Sequence, residues 1–145
     1  MFITKKITTF ETYTIRQEVL RKGKPIETCY FDGDNDSSTT HFGLFENENI
    51  IGVVSVYKTN SLLFTDEIQF QIRGMAVLEN FQNKGHGEQL LKAAEKYCWE
   101  EKANLIWFNA REKAVSFYTK SGFKIVGNSF DIPDVGIHFV MYKKN

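Results

Sequence analysis

The sequence predicts a fold of the α/β or α+β class, in which helices pack on a mixed β-sheet. Three observations support this prediction: strand-like runs alternate with helical periodicity, turn residues separate hairpin strands, and the most regular helix follows a glycine-containing loop. The chain has 145 residues, the usual size of one domain. We therefore expect residues 1–145 to form a single domain.

The first half of the chain is predicted to contain a strand, a helix and a hairpin. FITKKIT has the composition of a strand, and apolar residues recur with helical spacing over residues 9–23. Thr9 is the expected N-cap of that helix. The hairpin spans residues 41–58 and turns at residues 47–49.

The second half is predicted to contain four strands and two helices. The first of these helices is the most regular element, because its apolar residues recur on one helix face. They are Leu90, Leu91, Ala94, Tyr97 and Cys98. A second helix covers residues 111–122 and ends at Gly122, a residue type that favours the left-handed conformation after a helix. The strands are expected near residues 66–78, 104–110, 123–127 and 137–144.

Charge and composition argue against several classes of protein. The 18 basic and 18 acidic residues are interspersed, so the chain lacks the basic face of a non-specific nucleic-acid binder. The first residues lack an apolar signal region, and no stretch approaches the ~20 apolar residues that span a bilayer. We expect a cytoplasmic protein with no membrane partner. Cys29 and Cys98 lie far apart, which indicates reduced thiols.

One acidic segment begins like a calcium-binding loop, with Asp32, Asp34 and Asp36 at alternate positions. Ser37 replaces the glycine that such a loop needs for its turn, and Gly43 replaces the bidentate glutamate. We therefore predict no metal site. The segment either attracts a cationic amine or is a solvated surface loop.

The predicted strand around residues 66–78 contains an interruption. Apolar residues alternate regularly over Ile68–Ile72, but Met75 and Val77 fall on the opposite parity. One extra residue at Arg73–Gly74 would restore the alternation, so we predict a β-bulge there. A bulge leaves backbone N–H and C=O groups unpaired, and an amide-bearing ligand along the strand would pair with them.

Gly85 and Gly87 lie in the polar loop before the most regular helix. Free N–H groups of such a loop converge, and the missing Cβ atoms allow an anion to approach. The helix dipole contributes only ~0.3–1 kcal/mol, whereas each N–H bond to a charged oxygen contributes roughly 1.5–3 kcal/mol. Several amides would therefore act together on a phosphate. A tight turn is the alternative explanation, and the spacing fits neither the nucleotide-hydrolase nor the dinucleotide motif.

Four segments in sequence order carry a family resemblance, and they span about residues 66–126. The segments are IRGMAVL, QNKGHG with the pattern [QR]xxGx[GA], LIWFNA and AVSFYTKSGF. This combination resembles the GNAT superfamily of acyl-CoA-dependent N-acetyltransferases. The resemblance implies a mixed central β-sheet with a β-bulge in the fourth strand, splayed strands and helices on both faces.

The resemblance also implies a binding site for acetyl-CoA as co-substrate. The backbone of the bulged strand would pair with the pantetheine arm, and the glycine loop would hold the pyrophosphate. Asn109 would contact the pantetheine, Ser116 would line the adenine side, and Tyr118 would lie near the thioester sulfur. The strand residues are Met75, Ala76 and Val77, and the loop residues are Gln82, Asn83, Lys84, Gly85, His86 and Gly87. His86 stands where small or apolar residues are common in the family.

Direct attack of an amine on the thioester sets the chemical requirements of such a site. An alkyl amine of pKa ~10.4 is neutral in only about one molecule in a few thousand at neutral pH. The backbone N–H of Val77 is the candidate donor to the oxyanion, and Tyr118 is the candidate acid for the leaving thiolate. Spacing alone favours a core aromatic role for Tyr118, because it follows Phe117 on a helix, and the family resemblance reverses this preference.

The general base stays open at this point. Some relatives carry a glutamate at the position of Gln71, and glutamine cannot deprotonate an amine. Glu67, His41 and a water chain to bulk solvent are the alternatives.

Two functions remain from the sequence. The first is an N-acetyltransferase for a primary amine, on a small molecule or on a protein. The second is an inactive acyl-CoA-binding sensor or interaction module. Gln71 favours the second, whereas Asn109 and Tyr118 favour the first. The acceptor and the oligomeric state, monomer or homodimer, also stay open.

Overall fold

The protein forms a seven-stranded mixed sheet flanked by three α-helices, as seen in a computed structural model of residues 1–145. The strand order across the sheet is β1-β2-β3-β4-β5-β7-β6. The strands are β1 (Phe2–Ile7), β2 (Thr40–Glu46), β3 (Asn49–Tyr57), β4 (Gln69–Val77), β5 (Leu105–Arg111), β6 (Lys124–Ile132) and β7 (Gly136–Lys144). The helices are α1 (Thr9–Leu20), α2 (His86–Glu100) and α3 (Val115–Lys120).

Helices cover both faces of the sheet. On β3, Val54 and Val56 belong to the main core, which includes the apolar side of α2 and to which α3 adds Tyr118. Val53, the neighbour of Val54 in the strand, packs instead with Ile15 of α1 in a smaller core. This alternation follows from the period of two in a strand. The α/β class, the mixed sheet and the helices on both faces are thereby confirmed.

The N-terminus of α1 lies one residue earlier than predicted. Thr8, not Thr9, is the N-cap: its hydroxyl accepts from Glu11 N at 3.3 Å, and its own N–H donates to Glu11 Oε1 at 2.9 Å. This reciprocal pair is a capping box. The sequence contains the Thr-x-x-Glu spacing that is typical of a capping box.

The bulge in β4 is confirmed. Between the pairs Val53–Ala76 and Ser55–Arg73, β3 uses one intervening residue and β4 uses two. Gly74 has φ +66°, a conformation that residues with a Cβ rarely adopt. The extra residue keeps the apolar side chains of both halves of β4 on one face of the sheet. Met75 and Val77 pack against the same core that contains Phe70 and Ile72.

The splay of the sheet lies directly beside this bulge. β4 and β5 are parallel neighbours, but they pair only over Gln69–Gln71 and Leu105–Trp107. Beyond these residues β5 stays paired with β7 as far as Arg111, whereas β4 has no partner on its β5 side. The sheet therefore opens like a V, as the predicted splayed strands require.

Two elements differ in detail from the sequence prediction. The predicted helix 111–122 begins with a 3₁₀ turn at Glu112–Ala114 before α3, and β6 runs on to Ile132 through an irregularity between Val126 and Phe130. Gly122 has the expected left-handed φ of +94°. No helix is both long enough and apolar enough to cross a membrane.

Gly74→Ala is expected to destabilise the protein more than Gly127→Ala does. Both glycines have left-handed φ values, +66° and +74°, so each substitution costs about 1–2 kcal/mol of backbone strain. A Cβ on Gly74 would also lie 3.0 Å from Phe31 Cε2, whereas nothing lies within 4 Å of one on Gly127. Urea unfolding should give a difference of at least about 1 kcal/mol; equal losses would contradict a crowded bulge.

Candidate active site

A cavity of about 420 Å³ lies where β4 and β5 separate. It passes through the sheet, because its lining comes from both faces. Phe108 and Tyr118 contribute from the side of α2 and α3, while Arg73 and Arg111 contribute from the side of α1. The opening between the strands thus joins two surfaces of the molecule.

The three backbone positions predicted to pair with pantetheine lie on the free edge of β4. Met75 lines the cavity, and Ala76 and Val77 lie beyond it towards the end of the strand. On the other edge, Ala76 and Val77 pair with Val53 and Gly52 of β3. The carbonyl of Val77 accepts a hydrogen bond of 2.9 Å from Gln82 Nε2, which joins the strand to the glycine loop.

The glycine loop ends at an N-terminus of α2 that carries no side-chain cap. Gly85 is the N-cap residue with φ +86°, and Asn83 also has a positive φ of +61°. The first intrahelical bond runs from Gln89 N to Gly85 O at 3.1 Å, so the amides of the preceding helical residues lack an intrahelical acceptor. These amides and the helix dipole form a site suited to an anion.

Lys84 and His86 differ in their exposure to solvent. The Lys84 ammonium donates to the carbonyl of Asn80 at 3.2 Å and stays exposed at the rim. The His86 ring is buried against Phe2, with ring centroids 4.3 Å apart. The side chain of His86 therefore anchors α2 to β1, while its backbone N–H belongs to the uncapped turn.

Gly87 faces α3 across a narrow gap. A Cβ on Gly87 would lie 3.6 Å from Phe117 Cζ, an ordinary contact distance. Ser116, next to Phe117, is exposed on α3. The glycine loop and α3 therefore lie next to each other outside the cavity.

Tyr118 lies between the core and the cavity. Its ring packs on Phe108 at 4.4 Å between centroids, and the residue lines the cavity. Burial raises the pKa of Tyr118 to about 12, so the phenol stays protonated in the physiological range. Tyr118 therefore packs as a core aromatic residue and also lines the cavity.

Asn109 lines the same cavity from β5. It lies two residues beyond Trp107, where the pairing with β4 ends, and it is exposed. Gln71, at the position of the family glutamate, also lines the cavity from β4. The structure thus brings Met75, Asn109 and Tyr118 together.

Neither side chain considered as a general base lines this cavity. Glu67 is exposed before β4, at the closed end of the V. His41 is 4% exposed and lies in a separate polar depression of about 320 Å³. Its Nδ1 lies 2.6 Å from Ser55 Oγ, its Nε2 lies 3.0 Å from the carbonyl of Asp34, and burial lowers its pKa.

His138 is a cavity residue that the sequence prediction missed. It lies on β7 opposite Arg111, it is 5% exposed, and it lines the cavity. Its Nδ1 lies 2.8 Å from the carbonyl of Gly136, which can only accept, so Nδ1 carries a proton. Nε2 makes no hydrogen bond within the protein and can accept one. No motif in the sequence signalled this position, because it depends on the register of β7 on β5.

A buried ion pair supports the α1 side of the site. Arg16 and Asp34 form two hydrogen bonds of 2.7 and 3.1 Å, and their side chains are 0% and 3% exposed. Arg16 also donates to Ser55 Oγ at 2.9 Å, to Tyr57 OH at 3.2 Å and to the carbonyl of Cys29 at 2.8 Å. The acidic segment thus includes a residue that fixes α1 to β3 and is not solvated.

The pKa of Asp34 reflects two opposing effects. Burial raises it, but hydrogen bonds from Arg16, Tyr57 and Phe31 N outweigh burial and leave the pKa below its usual value of 3.8. A carboxyl whose folded pKa is depressed contributes stability that is complete above the unfolded pKa. This contribution is lost as the pH falls below about 4 towards the folded pKa.

The family of the chain follows from a match to a family model described as the acetyltransferase (GNAT) family, which covers residues 8–123. The chain belongs to the GNAT family. It is 36% identical over 143 residues to the uncharacterized N-acetyltransferase YitI of Bacillus subtilis, covering 99% of this chain and 96% of that protein. The protein is therefore an acyltransferase of the GNAT type.

Solved GNAT structures share the fold. The Elizabethkingia anophelis GNAT acetyltransferase with acetyl-CoA bound has a TM-score of 0.71 at 17% identity, covering 99% of this chain and 98% of that one. The ribosomal-protein-S18-alanine N-acetyltransferase of Escherichia coli has a TM-score of 0.76 at 17% identity, covering 99% and 94%. At this level of identity the likeness concerns the fold.

Asp34→Ala is expected to lower the free energy of unfolding by about 3–5 kcal/mol, because it leaves the Arg16 charge buried without its partner. The double variant Arg16→Met with Asp34→Leu should recover much of this loss. Asp66→Ala is the control: it breaks a more exposed pair with Lys144 at 3.6 Å and should cost less than about 1 kcal/mol. Urea unfolding at pH 7 measures all three, and a small loss for Asp34→Ala would contradict the structural role of the pair.

Proposed function

We propose that the protein is an N-acetyltransferase that moves an acetyl group from acetyl-CoA to a primary amine by direct attack. The observation that carries the proposal is the V between β4 and β5, which opens beside an uncapped helix N-terminus and leads to a cavity lined by Tyr118. An extended acyl carrier with a phosphate-bearing end fits this combination of a free strand edge and an anion site.

The proposed position of acetyl-CoA follows the free groups of the backbone. Its pantetheine amides would pair with the edge of β4 at Met75–Val77, where no strand lies on the β5 side. The pyrophosphate would accept from the amides of the loop Gln82–Gly87, with Lys84 adding charge at the rim. Asn109 would contact the pantetheine, and Ser116 would border the adenine end.

The amine would approach from the α1 side of the cavity. Its attack on the thioester carbon forms a C–N bond and an oxyanion, to which the Val77 amide donates. His138 Nε2 is the proposed acceptor of the proton that the amine loses, because Nδ1 is held protonated by Gly136. The C–S bond then breaks, and the departing thiolate accepts a hydrogen bond from Tyr118 and takes its proton from solvent.

The high pKa of Tyr118 shapes its proposed role. Proton transfer from a phenol of pKa about 12 to a thiolate of roughly 8.5 is uphill by about 3.5 units, or roughly 5 kcal/mol. Tyr118 would therefore donate a hydrogen bond to the departing sulfur. Tyr118 would transfer its proton fully to the sulfur only if the proton lost by the amine were passed to the resulting phenolate.

An inactive acyl-CoA-binding module is the second candidate, and one observation favours it. No aspartate or glutamate lines the cavity, and Gln71 occupies the position of the family glutamate. This candidate binds the same ligand but transfers nothing, so measurements of binding and turnover together distinguish the two.

The first test combines calorimetry with thiol release. Acetyl-CoA should bind, and amines should accelerate the release of coenzyme A thiol above the rate of hydrolysis. Binding without any acceleration across amino acids, amino-acid amides, alkyl amines, phosphoamines and polyamines would favour the inactive module. Absence of binding would contradict both candidates.

Two substitutions should separate the chemical step from binding. Tyr118→Phe and His138→Gln are each expected to lower kcat by about tenfold to a hundredfold with the Kd for acetyl-CoA unchanged within about twofold. Tyr97→Phe is the matched control, because Tyr97 bonds Thr40 and does not line the cavity. Unchanged kcat in either cavity variant would remove that role.

A further inference from the structure

The α1 side of the cavity contains three arginines and no carboxylate. Arg21, Arg73 and Arg111 all line it, and its 17 lining residues include no aspartate or glutamate. The protein as a whole carries equal numbers of acidic and basic side chains. The positive charge of this cavity is therefore a local feature.

None of the three arginines is neutralised by a carboxylate. The four salt bridges of the protein involve Arg16, Lys92, Lys143 and Lys144. Arg21 donates to the carbonyl of Leu20 at 3.1 Å and Arg73 to that of Asp32 at 3.3 Å, while Arg111 makes no side-chain hydrogen bond. Their donors are thus largely free for a ligand.

The three guanidinium groups come from separate elements that meet at the V. Arg21 follows the last residue of α1, Arg73 precedes the bulge glycine on β4, and Arg111 ends β5 opposite His138. Arg21 and Arg73 both lie over the Phe31 ring, at 5.4 and 5.2 Å from its centroid. This aromatic contact holds the two charges at the same wall of the cavity.

These arginines lie apart from the proposed pyrophosphate site. Arg73 and Arg111 point to the α1 face, because Ile72 and Ala110 beside them in the chain belong to the core of the opposite face. The glycine loop leads into α2, which packs on that opposite face. The charges therefore face the side from which the acceptor would enter.

Nearby carboxylates leave this charge uncompensated. Asp32 contributes its backbone carbonyl to Arg73, and Asp131 and Asp134 in the β6–β7 hairpin do not line the cavity. Asp34 is taken up by Arg16, Tyr57 and Phe31 N. A bound anion would supply the missing counter-charge.

We propose that the acceptor is a primary amine that also carries an oxyanionic group, a carboxylate or a phosphate, bound by Arg111 with Arg73 and Arg21. Guanidinium groups bind such oxyanions through paired, charge-assisted hydrogen bonds. Cationic amines such as polyamines would be repelled by the same charges. This inference rests on the proposed acetyltransferase function and narrows its substrate class.

The positive charge also assists the reaction. A like charge disfavours the protonated form of an amine and lowers its pKa. An amine held near three guanidinium groups loses its proton more readily than it does in water. The cavity can therefore raise the neutral, nucleophilic fraction without a carboxylate base.

Matched acceptors test the proposal on the full chain. L-leucine should have a kcat/KM at least about tenfold above those of L-leucinamide and 3-methylbutylamine, or O-phosphoethanolamine should exceed ethanolamine by as much. A preference in the first set identifies a carboxylate, and a preference in the second a phosphate. Equal use of the charged and uncharged members of both sets, or a preference for spermidine, would overturn the proposal.

Two Arg111 variants and one control make the test specific. Arg111→Gln should reduce the preference for the anionic acceptor by about tenfold, and Arg111→Glu should reverse it, while the Kd for acetyl-CoA stays unchanged. Lys92→Gln is the control, since Lys92 is exposed on α2 in a pair with Glu88. A preference that survives charge reversal at Arg111 would contradict the proposal.

A binding measurement separates this inference from the proposed function. If the protein transfers acetyl groups with no preference for anionic acceptors, the inference alone fails. If the protein neither binds acetyl-CoA nor transfers acetyl groups, calorimetry still tests the inference with two ligand pairs. The first pair is N-acetyl-L-leucine and its amide, and the second is N-acetyl-O-phosphoethanolamine and N-acetylethanolamine. In at least one pair, the anionic ligand should bind at least about tenfold more tightly and lose this advantage in Arg111→Gln. No difference within either pair would overturn the inference whatever the fate of the function.

Discussion

The separation of β4 from β5 is the constraint on which the rest of the structure depends. A regular parallel pair would consume the backbone groups of both strands along their full length. Here the pairing stops after Gln71, and the bulge at Gly74 turns the rest of β4 away while keeping it bound to β3. The same local irregularity creates a free strand edge, a cavity through the sheet and a connection between two surfaces.

The two faces of the sheet support this opening in different ways. On the α2 side the support is apolar, with Phe108, Tyr118 and Phe123 packed together. On the α1 side it is polar and charged, centred on the buried pair of Arg16 and Asp34. A buried ion pair is costly to desolvate but specific in geometry. It fixes α1 and the segment before β2 on a part of the sheet that has lost some of its own hydrogen bonds.

Much of the fold could be predicted from the sequence because the signals were local. The parity change after Ile72 located the bulge within one residue, and the glycine loop marked the start of α2. Thr8 was missed as the cap although its pairing with Glu11 follows a local pattern. The positions of His138 and Arg111 could not be predicted, because they depend on the register of β5 on β7 across a long separation in sequence. The same holds for the partnership of Arg16 with Asp34, whose side chains come from a helix and an irregular segment.

The bare N-terminus of α2 has a further consequence. Gly85 stands at the helix start in a left-handed conformation, where a serine or aspartate cap would contribute only about a few tenths of a kcal/mol more than the glycine does. The ligand-free chain lacks this small contribution. A capping side chain would compete with a phosphate for the same amides. Thermal stability of the ligand-free protein and affinity for an anion are therefore opposing demands at this one turn.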